Sequence, residues 1–429
     1  MFWVYRIGSL TAAVILGLGL SGGAPALAEA HHLVAVRASA AIESFGLNTH
    51  VNYLDSAYAH FDQVQDALKY VGINNLRELA PMPWFSGAAP LGYYSRLMQE
   101  GYSIDFVVPG GKVDLDKSFG PILDLANGPD ARISAIEGFN EVDHGPVSFD
   151  GQTGNDGAIK GQEAIYALTH REKPLRGIPV IDLTGVSAAP TALNDRADFG
   201  NAHLYPQNGV PPDGSFRGMH ELAEKVHVPM MVTEFGYASL PQSGWLVIGV
   251  DENAQAKGVA AGLLSSIENG FARTYLYELV DERPDPSGKD RESHYGLFDN
   301  QFRKKPAAIA VHNLTQLLRD SGAQADHFAL HDVDVDIAGL PKTAHVVAIE
   351  KSDGSIWLAM WDEVPFWDNQ HGTPIPDRST SVTILLPKGT RVANIYALQS
   401  PDPQIKHVEA APSVGVDVSS SPILIEFRP

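Results

Sequence analysis

Two glutamates at the ends of short apolar runs could carry acid–base and nucleophilic chemistry in this sequence. The run that begins at Ile133 leads into Asn140-Glu141, and the run that begins at Met230 leads into Glu234. Each run is typical of a buried strand whose last residues enter a loop. A carboxyl group placed there lies at the edge of an apolar wall, a setting that suits a general acid or a nucleophile. Glu141 and Glu234 are therefore the candidate catalytic pair.

The two glutamates belong to a regular alternation of strand-like and helix-like segments. Strand candidates begin near residues 45, 73, 104, 133, 179, 199, 229 and 273. Helices are expected at about 61–71, 91–99, 121–126, 161–171, 218–225, 252–269 and 306–318. The strands are short and mostly apolar, as parallel strands covered on both faces are. Eight such units predict an α/β fold, a (β/α)8 TIM barrel over residues 40–322. A doubly wound sheet is the alternative, but no G-x-G-x-x-G follows the first strand.

A different pattern begins near residue 325. Short strand candidates start at 345, 356, 381, 392 and 423, separated by turn residues, without a helical period. This pattern predicts a small all-β sandwich over residues 325–429, packed directly on the barrel. Asp332, Asp334 and Asp336 alternate along one segment. We interpret them as the acidic face of a strand and not as a calcium site, because no EF-hand loop surrounds them.

The first 28 residues have the features of a signal peptide. Arg6 provides a positive charge, an apolar run extends from Ile7 to Leu20, and Ala26-Leu27-Ala28 matches a small-x-small cleavage site. The alternative is a membrane anchor, but the apolar run is short for a bilayer span. The sequence thus predicts a secreted or periplasmic bacterial protein that does not stay in the membrane after cleavage.

Composition excludes several classes of partner and chemistry. The formal net charge is −20, so the surface would repel nucleic acid and anionic lipid. A strongly acidic polymer is disfavoured too, unless the cleft is locally basic. The chain has no cysteine, which rules out disulfides and a thiol nucleophile, and its histidines lack a zinc spacing such as H-E-x-x-H. We expect no metal or cofactor, and the sequence leaves the oligomeric state open.

The polar residues at the predicted strand ends resemble those of a known group of enzymes. Because active sites of TIM barrels lie at the carboxyl ends of the strands, these residues should meet at one mouth. They are Asn48, His50, Arg77, Glu78, Asn140, Glu141, His203, Tyr205, Glu234, Tyr277 and Glu278. Asn140-Glu141 after the fourth strand, Glu234 after the seventh, Arg77 after the second and His203-x-Tyr205 after the sixth resemble the retaining clan A glycoside hydrolases, which include families 5 and 39. The segment His294 to Asp299, the following Lys304-Lys305-Pro306-Ala307 and the appended sandwich are also similar.

This resemblance implies a role for each matching residue. Glu141 would be the general acid/base and Glu234 the nucleophile. Asn140 would bind the sugar 2-hydroxyl, and His203 or Tyr205 would position one of the two glutamates. Arg77 would keep the nucleophile ionised, unless Arg77-Glu78 is a structural ion pair. His203 and Tyr205 could also be a packed aromatic pair.

The sequence departs from the clan pattern at the eighth strand. Many members place a tryptophan there beneath the catalytic sugar, whereas this chain has Tyr277-Glu278. Trp84 or Trp245 could supply the aromatic platform instead, and His50 and Tyr277 are further candidates for substrate binding. Glu278 is either a substrate ligand or part of an ion pair at the barrel rim. Asp281-Glu282-Arg283 is interpreted as a solvated loop.

These observations predict an exported retaining glycoside hydrolase that cleaves β-glycosidic bonds of a polysaccharide or oligosaccharide. Two other functions stay open. One is a non-catalytic carbohydrate-binding protein on the same fold, and the other is a transglycosylase that remodels envelope polysaccharide. The distance between the two carboxyl groups decides between retention and inversion: about 5–5.5 Å in the first case and about 6.5–9.5 Å in the second.

Overall fold

The structure, a computed structural model, describes residues 28–85, 87–185, 191–241, 249–386, 390, 392–409 and 411–428. It begins with two strands, β1 (Ala28–Val34) and β2 (Val36–Arg37), which join the sheets of the C-terminal sandwich. Residues 28–37 therefore pack with the far end of the chain, although they precede the barrel in sequence. The predicted signal peptide, apart from Ala28, lies outside the described residues.

Eight parallel strands form the barrel, and each begins within two residues of its predicted position. The barrel strands are β3 (Phe45–Asn48), β4 (Asn75–Leu79), β5 (Ser103–Val107), β6 (Ile133–Glu137), β9 (Val180–Ile181), β10 (Gly200–Leu204), β11 (Met230–Phe235) and β12 (Arg273–Leu276). They are hydrogen-bonded in the order β10-β11-β12-β3-β4-β5-β6-β9. A parallel bridge between Ile181 and Phe199 joins the two ends of this order. The predicted TIM barrel is thus confirmed. Between β6 and β9 lies a hairpin, β7 (Ser148–Phe149) and β8 (Gln152–Thr153).

Helices surround the barrel, and their apolar faces are buried against its strands. They are α1 (Ala38–Glu43), α2 (Phe61–Val71), α3 (Leu91–Gln99), α4 (Leu115–Ala126), α5 (Asn155–Arg171), α6 (Asp213–Val226), α7 (Glu252–Glu268) and α8 (Pro306–Leu318). In α2 the apolar residues follow the i, i+3, i+4 spacing and are buried, and Gly72 ends the helix with φ at +75°. No helix in the described ranges is long and apolar enough to cross a membrane.

The prediction for α4 was wrong at its start. The helix begins six residues before Pro121, because the side chain of Asp114 caps it by accepting a hydrogen bond from the backbone nitrogen of Lys117 at 3.2 Å. Pro121 therefore lies inside the helix and does not open it. Helices α5 and α6 also begin before their predicted starts at residues 161 and 218.

The C-terminal region is a sandwich of two sheets around a second apolar core, and all strand pairs are antiparallel except β2 with β14. One sheet contains β1, β13 (Asp332–Ala338), β18 (Thr380–Leu385) and β21 (Ser413–Val418). The other contains β2, β14 (Ala344–Glu350), β15 (Ile356–Asp362), β22 (Ile423–Arg428), β19 (Val392–Ala397) and β20 (Gln404–Glu409). A short hairpin, β16 (Trp367–Asp368) and β17 (Thr373–Pro374), lies between β15 and β18. In β13 the aspartates are exposed and the alternate residues buried, which confirms the acidic strand face.

The sandwich packs directly on the barrel helices, as predicted. Trp357 and Trp361 belong to the same apolar core as residues of α7 and α8. The side chain of Asn313 on α8 donates hydrogen bonds to the backbone oxygens of Leu398 and Ser400 at 2.7 and 2.8 Å. Because α7 has the barrel on one side and the sandwich on the other, it is buried over most of its circumference.

Candidate active site

Glu234 is a buried, hydrogen-bonded carboxylate at the carboxyl end of a barrel strand. It lies in the fully buried strand β11 and is 7% exposed. Arg77 donates from Nη1 to Oε1 at 2.6 Å, and the Tyr205 hydroxyl donates to Oε2 at 2.5 Å. Burial alone would raise the pKa of Glu234, but His203, Arg77 and Tyr205 outweigh it and hold the pKa below its usual value. The side chain is therefore held ionised, as a nucleophile requires.

Arg77 connects Glu234 to a second buried glutamate. Its guanidinium group binds Glu137 through two parallel bonds, Nε to Oε2 and Nη2 to Oε1, both 2.7 Å long. It also donates to the side-chain oxygens of Asn48 at 2.9 Å and Asn140 at 2.7 Å. The planar group thus has every donor direction filled, which fixes its orientation. The alternative prediction of an ion pair between Arg77 and Glu78 was wrong, because the glutamates that Arg77 binds are Glu137 and Glu234.

Glu141 lies opposite, in the loop after β6. Its backbone has φ of +42°, the left-handed region that a non-glycine residue rarely adopts and that often marks functional sites. Two hydrogen bonds to Thr184 hold this conformation: the nitrogen of Glu141 donates to Oγ1 at 3.0 Å, and the nitrogen of Val142 donates to the carbonyl oxygen at 2.8 Å. The side chain is 23% exposed, against 9% for that of Glu234, so Glu141 is the more accessible of the two to solvent.

His203 stands between the two glutamates. Its Nδ1 lies 2.9 Å from Oε1 of Glu141 and 3.4 Å from Oε2 of Glu234. One oxygen of each glutamate and a nitrogen of His203 all lie within 4.8 Å of one another. Behind the ring, Nε2 lies 3.2 Å from the Thr233 hydroxyl. The sequence-predicted residues Arg77, Asn140, Glu141, His203, Tyr205 and Glu234 thus meet in one hydrogen-bonded cluster.

A cavity of about 170 Å³ opens beside Glu234 and Asn140. Its aromatic walls come from His50, Tyr53 and Tyr277. His50 stacks on Tyr53 with ring centroids 4.8 Å apart and meets Tyr277 edge to face at 5.6 Å. Trp84 is 48% exposed and is not among the residues that line this cavity. Trp245, the other proposed platform, lies outside the described residues.

Glu278 is fully buried and lies behind His50, with Oε2 at 3.5 Å from the histidine Nε2 and 3.3 Å from the Tyr58 hydroxyl. The interpretation of Asp281-Glu282-Arg283 as a solvated loop was wrong for Asp281 and Glu282, whereas Arg283 is exposed. Asp281 is 5% exposed and pairs with Lys305 at 2.7 Å, and Glu282 points toward His50 with Oε1 at 3.8 Å from Nε2. The loop folds inward because the buried ammonium group of Lys305 requires a carboxylate partner.

Two buried acids beneath this site, Glu137 and Asp105, were not predicted from the sequence. Glu137 accepts hydrogen bonds from Arg77, Asn201 and Thr233, and Asp105 lies beneath it, fully buried. Burial, and then the nearby charge of Glu137, raise the pKa of Asp105 well above its usual value. A signal was present: Arg77, Asp105 and Glu137 are charged residues inside three consecutive apolar strands. Such residues must pair inside the barrel, because helices cover the outer face of the strands.

Among the residues that the structure describes, three groups of acidic residues and histidines have donor atoms close enough together to be considered as metal ligands. They are Glu141 with His203 and Glu234, His50 with Glu278 and Glu282, and Asp213 with Glu268 and His345. In the first group the oxygens of Glu234 already accept hydrogen bonds from Arg77 and Tyr205. This arrangement suits an ionised nucleophile and leaves little coordination capacity for a metal.

The architecture is that of solved glycoside hydrolase structures. A family 39 glycoside hydrolase from Bacteroides cellulosilyticus matches over 92% of this chain and 82% of its own, with a TM-score of 0.62 and 13% identity. A glucosidase from Croceicoccus marinus matches over 85% and 92%, with a TM-score of 0.56 and 13% identity. A monomeric β-xylosidase from Caulobacter crescentus matches over 92% and 98%, with a TM-score of 0.54 and 12% identity. No protein-family model and no curated protein matches the sequence. The expected resemblance to clan A is thus confirmed for the fold.

Proposed function

We propose that this protein is an exported retaining glycoside hydrolase that cleaves β-glycosidic bonds by double displacement. The observation that carries the proposal is the approach of Glu141 and Glu234, whose nearest oxygens lie within 4.8 Å of each other across the mouth of the barrel. This separation suits the retaining geometry of about 5–5.5 Å and leaves no room for the water that an inverting enzyme places between its carboxyl groups. The names of the matching solved structures, a glycoside hydrolase, a glucosidase and a β-xylosidase, support a glycosidase.

The proposed reaction uses each carboxyl group according to its setting. Glu234, held ionised by Arg77 and Tyr205, attacks the anomeric carbon while Glu141 protonates the leaving oxygen. The glycosyl ester on Glu234 is then hydrolysed by a water that Glu141 deprotonates. Glu141 suits this double role because it is partly exposed and can exchange protons with solvent. Asn140 accepts from Arg77 through its oxygen, so its NH2 group is the part that can donate to the sugar 2-hydroxyl.

The proposal that the protein is exported rests on residues 1–28, whose sequence features predict a signal peptide and a secreted or periplasmic location. Detection of a mature N-terminus at Glu29 by mass spectrometry of protein from the native host would support it. An uncleaved N-terminus in a membrane fraction would favour the anchor instead.

The proposal is tested with a panel of p-nitrophenyl β-glycosides and polysaccharides, measured for wild type and Glu234→Gln. We expect wild type to release product and the variant to lose about 10⁴-fold or more of kcat, with an unchanged circular dichroism spectrum. Binding of oligosaccharide without any released product would instead identify a carbohydrate-binding protein. Products longer than the substrate at high substrate concentration would identify a transglycosylase.

A further inference from the structure

Both oxygens of Glu141 face an imidazole nitrogen. Oε1 lies 2.9 Å from Nδ1 of His203, and Oε2 lies 3.1 Å from Nδ1 of His144. The two histidines differ in exposure: the side chain of His203 is 2% exposed and that of His144 is 68% exposed. A role for His203 is predicted from the sequence, but none for His144. The proposed acid/base therefore has one buried partner and one partner in contact with solvent.

The backbone places His144 beside Glu141. The nitrogen of His144 donates to the carbonyl oxygen of Glu141 at 2.8 Å, which closes a four-residue turn. The start of this turn is fixed, because the nitrogens of Glu141 and Val142 both donate to Thr184. The contact between the two side chains thus follows from a turn that is anchored to the segment after β9.

The place of the proton on Glu141 follows from the charge of Glu234. Nδ1 of His203 also lies 3.4 Å from Oε2 of Glu234, which is held ionised. A lone pair on this nitrogen would face that negative charge, so Nδ1 must carry a hydrogen, which it donates to Oε1 of Glu141. When Glu141 is protonated, its proton is therefore on Oε2, the oxygen beside His144. The leaving oxygen must approach Oε2 to receive this proton.

We propose that His144 is a positioning residue for Glu141, and that its imidazole binds Oε2 in both protonation states of the acid/base. This inference rests on the proposed glycosidase function. Before cleavage, Nδ1 accepts the hydrogen bond of the Oε2–H group, until the leaving oxygen takes that proton and its bond to the sugar breaks. Afterwards Oε2 is negative, and Nδ1 donates to it. This hydrogen bond orients Oε2 toward the water that attacks the glycosyl ester and gives its proton to Oε2.

The exposure of His144 suits this change of role. Nδ1 must hold no hydrogen in the first state and one hydrogen in the second. An exposed ring can release a proton to water from Nε2 and take one from water at Nδ1, so its net charge does not change. The buried ring of His203 stays a donor to Glu141 throughout. Because a hydrogen bond at an exposed site contributes little, the effect of His144 on each step should be modest.

The first experiment measures the two chemical steps separately in wild type, His144→Leu, His144→Gln and His144→Lys. For an aryl β-glycoside with a poor leaving group, kcat/KM reports formation of the glycosyl ester. For a dinitrophenyl β-glycoside that gives a burst of dinitrophenolate, kcat reports hydrolysis of the ester. Leucine offers neither a donor nor an acceptor, so we expect about 3- to 10-fold slower hydrolysis of the ester. Glutamine offers both and should recover most of this loss.

The lysine variant tests the acceptor role. An ammonium group only donates, and its charge favours the ionised form of Glu141, which cannot act as an acid. His144→Lys should therefore lower kcat/KM for the poor leaving group by about 3- to 10-fold more than it lowers hydrolysis of the ester. The matched control is His371→Leu on the β16–β17 hairpin, where Nδ1 of an exposed histidine lies 2.6 Å from Oδ2 of Asp368, also three residues earlier. This control should change neither step.

The outcomes separate this inference from the proposed function. Hydrolysis by wild type with unchanged kinetics in His144→Leu would overturn the inference alone. Equal losses in both steps for the leucine, glutamine and lysine variants would also overturn it, because they would indicate only a damaged turn. If wild type hydrolyses no glycoside, the proposed function fails and the role of His144 fails with it.

NMR of the imidazole nitrogens tests the contact itself and needs no turnover. At about pH 9, where accessible carboxyl groups are ionised and imidazoles are neutral, His144 in wild type should carry its hydrogen on Nδ1 and donate it to Glu141. The fraction of this tautomer should fall in Glu141→Ala, because the acceptor is lost. The signals of His144 are identified by their absence in His144→Gln. The same tautomer fraction in wild type and Glu141→Ala would show that the two side chains do not interact, and would overturn the inference.

Discussion

The two sides of the barrel mouth hold buried carboxyl groups in opposite ways. On one side, Glu234 receives strong hydrogen bonds from Arg77 and Tyr205, and its pKa lies below the usual value. On the other, Glu78 and Glu278 each have an oxygen without a hydrogen-bond partner among the described residues, and burial raises their pKa values. Burial is similar on both sides, so the supply of donors decides whether a carboxyl group is charged. The same barrel thus provides an ionised carboxylate at Glu234 and, at Glu78 and Glu278, carboxyl groups for which burial favours the protonated form.

The largest effect on activity, after loss of Glu234 itself, is expected from Glu141→Ala. Without the acid, an aryl glycoside with a poor leaving group should lose about 10²–10⁴-fold in kcat/KM, whereas a dinitrophenyl glycoside should lose much less because it needs no proton. The two substrates are compared by absorbance in wild type and variant. Equal losses for both leaving groups would show that Glu141 is not the general acid.

Removal of Arg77 should destabilise the folded protein more than a single substitution at Glu78 or Glu278. Arg77→Met leaves Glu137 and Glu234 buried without their cation, and we expect a loss of about 3–5 kcal/mol in the free energy of unfolding. Urea denaturation measures this loss. Arg96→Met, which breaks an exposed contact with Asp62, is the matched control and should cost less than about 1 kcal/mol. A similar cost in both variants would contradict the account of the buried pair.

Tyr205→Phe tests how the donors set the pKa of Glu234. Loss of the 2.5 Å hydrogen bond should raise this pKa, so the nucleophile is protonated at a higher pH and the acidic limb of the kcat/KM profile moves upward. We expect an activity loss of about 10- to 100-fold near pH 6 that shrinks as pH rises. Tyr93→Phe, on an outer helix where the ring stacks on Phe61, should leave the profile in place. A uniform loss at every pH would assign Tyr205 a purely structural role.

The smallest effect is expected from Glu78→Gln on the pH dependence of stability. A carboxyl group whose folded pKa is raised stabilises the protein fully below its unfolded pKa and less as pH rises through the folded value. For Glu78 this window extends from 4.5 to about 8. The melting temperature of wild type should therefore fall more steeply with pH across this window than that of the variant. Parallel curves would indicate that Glu78 is ionised without a ligand.

Much of the barrel could be predicted from sequence, and the reason is geometric. Parallel strands end at one face, so the polar residues after each apolar run must meet, and Glu141, Glu234, Arg77, His203 and Tyr205 do so. The inward turn of Asp281 and Glu282 could not be foreseen, because it depends on Lys305, which is distant in the chain and buried by tertiary packing. The pairing of Arg77 with Glu137 was missed for a similar reason: the neighbour in sequence, Glu78, points elsewhere.

Azide rescue of the two alanine variants tests the central claim most directly. With an aryl β-glycoside that wild type hydrolyses, Glu234→Ala in azide should form the α-glycosyl azide, because azide replaces the nucleophile and attacks once. Glu141→Ala should form the β-glycosyl azide, because azide attacks the glycosyl ester on Glu234 and the configuration is retained after two displacements. Proton NMR of the products distinguishes the two anomers. The account predicts opposite anomers from the two variants, and the same anomer from both, or the reverse assignment, would contradict it.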